Sequence, residues 1–594
     1  MNDALHTMRH SAAHVLAAAL SELYPGTKFG VGPVIDDGFF YDVLPPQPVT
    51  EANLPVIEQK MREIVNRDDA FVRKEMPIDE AIALFASLGQ DLKVELLKDL
   101  KEKGTTKVRP EEMQDVGGKP DVASIYETGA FVDLCRGPHV AKSGEIGAFK
   151  LTRLAGVYWR GDEKKPQLQR IYGLAFQTKD ELDAYLLMQE EAKKRDHRKL
   201  GKELGLFVFS DLVGPGLPLW TPKGTVVRNL LDEFVWSLRK PYGYQKVTIP
   251  HITKKDLYEK SGHWAKFSNE LFKITTREGH EYAMKPMNCP HHTQIFASEL
   301  RSYRDMPQRY CETTMVYRDE QSGELSGLSR VLSITQDDAH VFCRESQIEA
   351  EMFAIWDVID AFYRAFGFEL SVRFSRHDPE HFEKYLGTSE VWQKAEAQIS
   401  SLLAKRGVAS YVDGKGEAAM YGPKIDFMAK DSLGRVLQVA TIQLDFNQPK
   451  NFELTCMSEA GVAEPIVMIH CAIMGSIERF VSTLLEHTAG NLPMWLAPVQ
   501  MRLATVGKDH VAFAEKLLAE LVASGVRAEI DSMDEKVGKK IRNSAMMKIP
   551  WTIVIGAKEM EGGDFKVNVF GQEEDLTIPA ADLAAKALEA GKRP

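Results

Sequence analysis

The chain has 594 residues, 44% hydrophobic and 27% charged, with a formal net charge of -11. That length excludes a single core and, at about 150 residues per domain, implies three to four units. No apolar run reaches membrane-spanning length, the acidic balance argues against indiscriminate binding to nucleic-acid phosphates, and six scattered cysteines fit a reduced, cytoplasmic compartment.

The opening stretch MNDALHTMRHSAAHVLAAAL is apolar but interrupted by Asp3, His10 and His14, so it reads as a helix of the mature fold and not as a secretory signal. Residues 1–165 mix helical segments with strand-like FFYDV and GVYWRG, and the GG and KP pairs at 117–120 mark a loop; this is an α+β unit. His10 and His14 lie four residues apart and share one helix face, while VDLCRGPHV offers Cys135 and His139 at the same spacing. Two such pairs in one unit suit a metal site or a water-activating hydrolytic pocket, although either pair alone is more often chance or core filling.

Residues 166–207 form a linker. Thr178 is placed to cap a helix that runs about seven turns to residue 207 with few breakers. Its basic stretch EEAKKRDHRKLGKELG is either a solvated face or a local patch for nucleic acid.

Residues 208–495 combine turns, alternating strands such as YQKVTIPHI and QVATIQLDF, and amphipathic helices, the pattern of an antiparallel sheet carrying helices. Within them, MKPMNCPHHTQIF sets Cys289 before a proline and two histidines, where it is a metal ligand, a nucleophile or a small buried side chain. VYRDEQSGELSGLSRVLSITQDDAH places Arg318 and Glu320 on one strand-like segment and Arg330 on a returning strand. A hairpin of this kind gathers guanidinium forks suited to nucleotide phosphates and a carboxylate able to accept from a base amino group. GSIERFVSTLLEH presents Arg479 near a helix N-terminus, which already favours anions. Residues 496–594 alternate strand and helix, as in a small α/β domain around a mostly parallel sheet.

YRDE, SGLSRV and GSIERF, with YQKVTIPHI, which contains Pro250, resemble the three motifs of class II aminoacyl-tRNA synthetases. MKPMNCP, TQDDAHVF, YGPKIDF, TIQLDF and VMIHCAIMGSIERF, together with RHSAAH and CRGPH, are similar in order and along nearly the whole chain to threonyl-tRNA synthetases. The resemblance implies a multidomain α+β and α/β protein: an N-terminal α+β editing domain, a class II antiparallel-sheet catalytic core and a C-terminal α/β anticodon-binding domain. It implies ATP-dependent activation of L-threonine, transfer to tRNA(Thr), and hydrolysis of mischarged Ser-tRNA(Thr).

By the same resemblance Cys289, His340 and His470 hold one Zn2+, with His291 and His292 as non-ligands, and three protein ligands leave a position open for substrate. Gln336, Asp338, Gln438 and Gln443 line the threonine pocket. Arg318 meets the α-phosphate and carboxylate, Glu320 the adenine amino group, Arg330 the γ-phosphate and Arg479 the adenine ring. Lys424 lies nearby, Mg2+ accompanies ATP, and His263 assists transfer to the tRNA. His10, His14, Cys135 and His139, with Tyr41, Lys93 and Asp133, form a metal-free editing pocket. A homodimer through the segment around Pro250 is implied.

Nine residues precede His10, so the small additional N-terminal module of the family is expected to be absent. HCAIM carries cysteine where arginine is usual, RVLSI is less basic than its family counterpart, and KVNVFGQEE (566–574) lacks the usual arginines. A synthetase-like RNA-binding regulator and a free-standing amino-acid adenylating enzyme are the alternatives. The retained nucleotide-site arginines disfavour the first, and the editing and anticodon-like domains disfavour the second.

Overall fold

The protein is described by a computed structural model covering residues 3–105 and 121–594; the loop expected at 117–120 lies outside the described residues. No helix among the described residues is long and apolar enough to cross a membrane. Two compact units divide at Glu190 and Glu191.

In the first unit the helix Asp3–Leu23 buries an almost continuous face of Ala12, Ala13, Val15, Leu16, Ala19 and Leu20. Alanine lets it lie close to the helix Leu54–Arg67 and to an antiparallel sheet whose main strands are Gly38–Leu44, Gln167–Phe176 and Ala148–Tyr158. The strands Phe71–Pro77, Val122–Thr128 and Phe131–Leu134 form a second antiparallel sheet. The boundary expected at 165 falls inside the hairpin between Ala148–Tyr158 and Gln167–Phe176. Because Gln167–Phe176 pairs on both edges, removing it would expose two rows of ladder groups, and the unit continues through it.

The seven-turn helix expected from 178 is two helices. Lys179–Lys194 starts where the Thr178 hydroxyl accepts from Glu181 N–H, as expected; it ends before Asp196, whose carboxylate accepts from Arg198 N–H and caps His197–Glu203. The capping preference of aspartate outweighs the otherwise helical composition around it.

The second unit is built on an eight-stranded sheet. Its order is Gln245–Lys246, Gln308–Tyr317, Ser333–Cys343, Val467–Ser476, Val436–Asp445, Lys424–Lys430, Glu369–Arg376 and Val412–Lys415. All pairs are antiparallel except the two at the edges. Helices Pro222–Arg239, Ile348–Arg364 and Ile477–His487 contribute Phe234, Phe362 and Phe480 to the core on one face. Of YQKVTIPHI only Gln245–Lys246 and the start of Ile252–Lys254 are strand.

At the C-terminus the strands Ala528–Asp531, Met501–Thr505 and Trp551–Ile555 are parallel, but Phe565–Val569 and Leu576–Ile578 add antiparallel to them. The sheet is therefore mixed: the link through the one-turn helix Ala557–Met560 and the turn before Leu576 are too short for parallel crossovers and return each final strand antiparallel.

One buried ion pair fixes the central register. Between Gln336 and Asp338 the strand Val467–Ser476 bulges, with Gly475 at φ +74°. The Asp337 carboxylate accepts the freed N–H groups of Ile473 (2.8 Å) and Met474 (3.0 Å) and faces Arg239 Nη2 at 3.4 Å, both side chains being buried. Burial pushes the Asp337 carboxyl up to about 6 despite these partners. Asp337→Ala, which removes the carboxylate facing the buried Arg239 and leaves two N–H groups unpaired while the Arg239 bond to the residue 337 carbonyl remains, is expected to lower unfolding stability by about 3–5 kcal/mol, while Asp337→Asn loses less; urea titration of both variants at pH 7.5 decides.

Candidate active site and hydrolytic pocket

The open face of the eight-stranded sheet carries a cavity of about 720 Å³. Its lining includes Cys289, Arg318, Glu320, Arg330, Gln336, Asp338, His340, Lys424, Gln438, Gln443, His470 and Arg479, every site residue expected in this region except His263. Sheet register explains the convergence. His340 pairs with His470, His470 with Gln443 and Gln443 with Lys424, so four adjacent strands place these side chains in one row. Gln336 and Asp338 share a face with His340 because strand side chains alternate.

Cys289 begins the helix Cys289–Ala297, and its Sγ, His340 and His470 offer ligand atoms that all lie within 4.8 Å of one another. His470 Nε2 donates to Asp445 Oδ2 at 2.9 Å, which leaves Nδ1 bare toward the cluster. Asp445 is itself held by the N–H groups of Asn447 and Gln448. His340 Nδ1 lies 2.8 Å from His292 Nδ1, and its Nε2 lies 3.1 Å from His470 Nδ1. Burial pushes the His340 imidazole far below its usual range and the Cys289 thiol well above its own. One sulfur and two bare imidazole nitrogens, backed by a carboxylate on the outer side of one histidine, fit a zinc ion. A thiol this deeply buried takes its thiolate form only beside a cation.

Around these ligands, Tyr421 stacks on the His470 ring at 4.5 Å and donates to Gln443 Oε1 at 2.5 Å. Asn288 donates to Asp338 Oδ2 at 3.0 Å, and burial raises the Asp338 carboxyl above its ordinary value. Asp426 receives Lys424 Nζ (3.1 Å), Gln438 Nε2 (2.8 Å) and Arg373 Nη2 (3.0 Å), fixing two of the expected residues at once. The sequence reading missed Tyr421, Asn288, Asp426 and Asp445 as contributors, while His292, expected as a non-ligand, stands beside His340 and outside the Cys289, His340 and His470 group. Tyr421 and Asp426 lie within the same YGPKIDF stretch that supplied Lys424, and Asn288 precedes Cys289.

Arg318, Glu320 and Arg330 are not on strands as expected. The strands end at Tyr317 and resume at Ser333, and all three residues sit in the connecting loop, where Gly327 (φ +49°) and the paired Ser326 and Arg330 make a tight turn. Arg330 donates through Nε and Nη2 to Glu320 Oε2 at 2.9 and 2.6 Å. The buried Nε of Arg318 has no partner among the described residues. Arg479 stands three residues after Ser476, whose hydroxyl caps the helix Ile477–His487; burial lowers its guanidinium from the ordinary value. Arg318 is half-buried and Arg479 exposed, and both line the cavity, where a guanidinium suits an anion. His263 is apart from the cavity lining: it is buried, with Nδ1 2.8 Å from Ser261 Oγ and Nε2 3.2 Å from the Met287 sulfur and 3.9 Å from Cys289 Sγ.

The first unit gathers a second constellation. His10 Nε2 and His139 Nε2 lie 3.3 and 3.4 Å from Cys135 Sγ, and His14 Nε2 lies 3.5 Å from Asp133 Oδ2. Asp133 also takes Lys93 Nζ at 2.5 Å and the Tyr41 hydroxyl, and Lys93 reaches Tyr41 at 3.1 Å. His10 and His14 are on the helix Asp3–Leu23, as their spacing predicts; Cys135 and His139 follow the strand Phe131–Leu134 in irregular backbone. Ser11 and Phe71 were missed: the Ser11 hydroxyl contacts His139 Nδ1 at 3.1 Å, and Phe71 stacks on its ring at 5.1 Å. Burial pushes the Cys135 thiol up to about 11 and His139 down to about 2, and lowers His10 and His14 as well. The pocket is therefore neutral thiol and neutral imidazole at pH 7, with imidazole lone pairs able to accept hydrogen bonds from water.

Three family models match: tRNA synthetase class II core domain (G, H, P, S and T) over residues 272–488, threonyl and alanyl tRNA synthetase second additional domain over 123–172, and anticodon binding domain over 498–590. A threonine–tRNA ligase from Phocaeicola vulgatus is 44% identical over 98% of this chain and 88% of its own length. One from Gloeobacter violaceus is 45% identical over 99% and 92%. Among solved structures, the RNA binding domain of threonyl-tRNA synthetase from Cryptosporidium parvum matches with TM-score 0.64 and 35% identity, covering 67% of this chain and 99% of that one.

The neutral histidines give the first unit a definite acid response. Folded values below the unfolded 6.5 mean that the unfolded chain binds more protons below that pH, so stability is full above 6.5 and falls as pH drops. For His139 the loss at pH 5 is at most about 2 kcal/mol. Hydrogen exchange of the Asp3–Leu23 amides at pH 7 and pH 5, corrected for intrinsic rates, is expected to show reduced protection at pH 5 and a smaller reduction in His139→Phe.

Proposed function

Because the chain belongs to the threonine–tRNA ligase family, and so charges tRNA with threonine at the expense of ATP and carries an editing domain, we propose the following division of work among its residues. The observation that carries it is the single cavity in which a Cys/His cluster, the half-buried carboxamides of Gln336, Gln438 and Gln443 and the guanidinium groups of Arg318, Arg330 and Arg479 lie together.

Cys289, His340 and His470 hold zinc, which when bound supplies a Lewis acid that demands amino and hydroxyl groups and so discriminates against valine. Asp338 accepts the threonine hydroxyl, oriented by Asn288. Gln336, Gln438 and Gln443 line the amino-acid end, Gln443 held by Tyr421 and Gln438 by Asp426. Arg318 neutralises the α-phosphate and the attacking carboxylate, which stabilises charge as it gathers on phosphorus. Arg330 leaves Glu320 to meet the γ-phosphate, freeing Glu320 for the adenine amino group, while Arg479 covers the ring. Lys424 and a Mg2+ ion with ATP complete the charge balance. His263 sits behind Met287 and reaches the transfer reaction only if Met287 moves.

Serine carries the same amino and hydroxyl groups and is smaller, so the synthetic site alone accepts it. His10, His14, Cys135 and His139, fixed by Asp133, Lys93 and Tyr41, hold water against the ester of mischarged Ser-tRNA. Pairing of two chains near Pro250 rests on the resemblance of that segment to motif 1. The alternative of an RNA-binding regulator is disfavoured by the intact set of nucleotide-facing arginines.

Two measurements check the assignment. Cys289→Ala is expected to lose its equivalent of zinc and at least about a hundredfold of threonine-dependent pyrophosphate exchange; full zinc and full exchange in the variant would make Cys289 a core residue. The double variant His10→Ala with Cys135→Ala should activate threonine as the parent does but deacylate preformed Ser-tRNA roughly a hundredfold more slowly. Equal deacylation by both proteins rejects the hydrolytic role.

A further inference from the structure

His197 opens the short helix His197–Glu203, outside every motif that carries the resemblance to class II synthetases. It is buried, and both ring nitrogens are engaged by elements distant in sequence. Nδ1 lies 2.7 Å from Glu486 Oε1, on the helix that carries Arg479. Nε2 lies 3.0 Å from the Leu328 backbone N–H, in the loop that carries Arg330. Since Leu328 N–H can only donate, Nε2 accepts, and the proton is on Nδ1 and directed at Glu486.

The two contacts meet at the tightest point of the loop. Leu328 is fully buried between Gly327 and Ser329, inside the turn closed by Ser326 and Arg330. A Cβ at Gly327 would come within 2.3 Å of His197 Nε2, so the loop fits against the ring with no room to spare. Ser329 Oγ adds a contact to Ser482 Oγ at 3.1 Å. Glu486 is anchored on its other oxygen by Arg435 at 2.6 Å, and both line the nucleotide end of the cavity.

We propose that His197 is a positioning residue of the nucleotide site: by accepting from Leu328 N–H and donating to Glu486, it holds the Arg330 loop at a fixed distance from the Arg479 helix, and so sets the width of the cleft that receives ATP. It touches no substrate. The inference rests on the reading that Arg330 and Arg479 bind the nucleotide.

The two halves of the imidazole can be separated by substitution. Asparagine reaches the position of Nδ1 and keeps a donor for Glu486; glutamine reaches that of Nε2 and keeps an acceptor for Leu328. His197→Asn is expected to raise the KM for ATP in pyrophosphate exchange roughly ten-fold, the size of effect that follows from leaving one buried donor unpaired. The KM for threonine should stay unchanged, and His197→Gln should recover most of the ATP KM. A merely structural histidine would instead affect both substrates alike, with no rescue by glutamine. An unchanged ATP KM in a folded His197→Asn overturns the proposal.

Should that variant fail to fold, Gly327→Ala tests the same link from the loop side: a raised ATP KM with normal threonine KM supports it, and an unchanged ATP KM overturns it. Arg330→Ala and Arg479→Ala are run in parallel. If neither changes the ATP KM, the nucleotide assignment itself has failed; if both do and the His197 and Gly327 variants do not, only this inference has.

Discussion

The synthetic site depends on the register of one strand, Ser333–Cys343, against its neighbours. Asp337 points to the core side, where it satisfies two N–H groups released by the bulge in Val467–Ser476 and faces Arg239. Gln336, Asp338 and His340 consequently face the cavity. A slip of one residue would send Asp337 and Ala339 to the cavity and bury His340 in the apolar core, and it would separate His340 from His470. The buried carboxylate adds little net stability over a well-packed apolar residue, but its specific partners exist in only one register. A pair of this kind gives uniqueness to a sheet whose remaining contacts are mainly apolar and shift-tolerant.

Two kinds of electrostatic preparation share the cavity. Around the Cys/His cluster, burial holds Cys289 and His340 neutral, so the ligand cluster gains its charge only with a cation present. At the other end, Arg318 and Arg479 carry permanent charge with little to neutralise it, and Arg330 is matched by Glu320. The first end suits groups that coordinate a metal; the second suits phosphate.

The pocket of the first unit uses different means for a different task. Its polar residues are anchored through Asp133, on which His14, Lys93 and Tyr41 converge, and its imidazoles stay unprotonated. Such a pocket has no strong anion site for ATP phosphates, while its neutral bases can orient water. Synthesis and hydrolysis thus occupy separate units, which lets each tune its own protonation states.

The sequence by itself named the residues that converge. Cys289, His340, His470, Arg318 and Arg479 followed from motif resemblance and line one cavity, and the His10 and His14 spacing was legible because a helix repeats every 3.6 residues. Local signals also gave the Thr178 cap and the strand–helix alternation of the last hundred residues. Tertiary structure alone decided what depends on pairing between distant segments: the inclusion of Gln167–Phe176 in the first unit, the loop placement of Arg318, Glu320 and Arg330, and the antiparallel strands added to the C-terminal sheet. It also decided the supporting residues Asp426, Asp445, Tyr421 and His197. Their side chains act through partners tens to hundreds of residues away, and hydrogen-bond partnership across such separations leaves no periodicity in a single sequence.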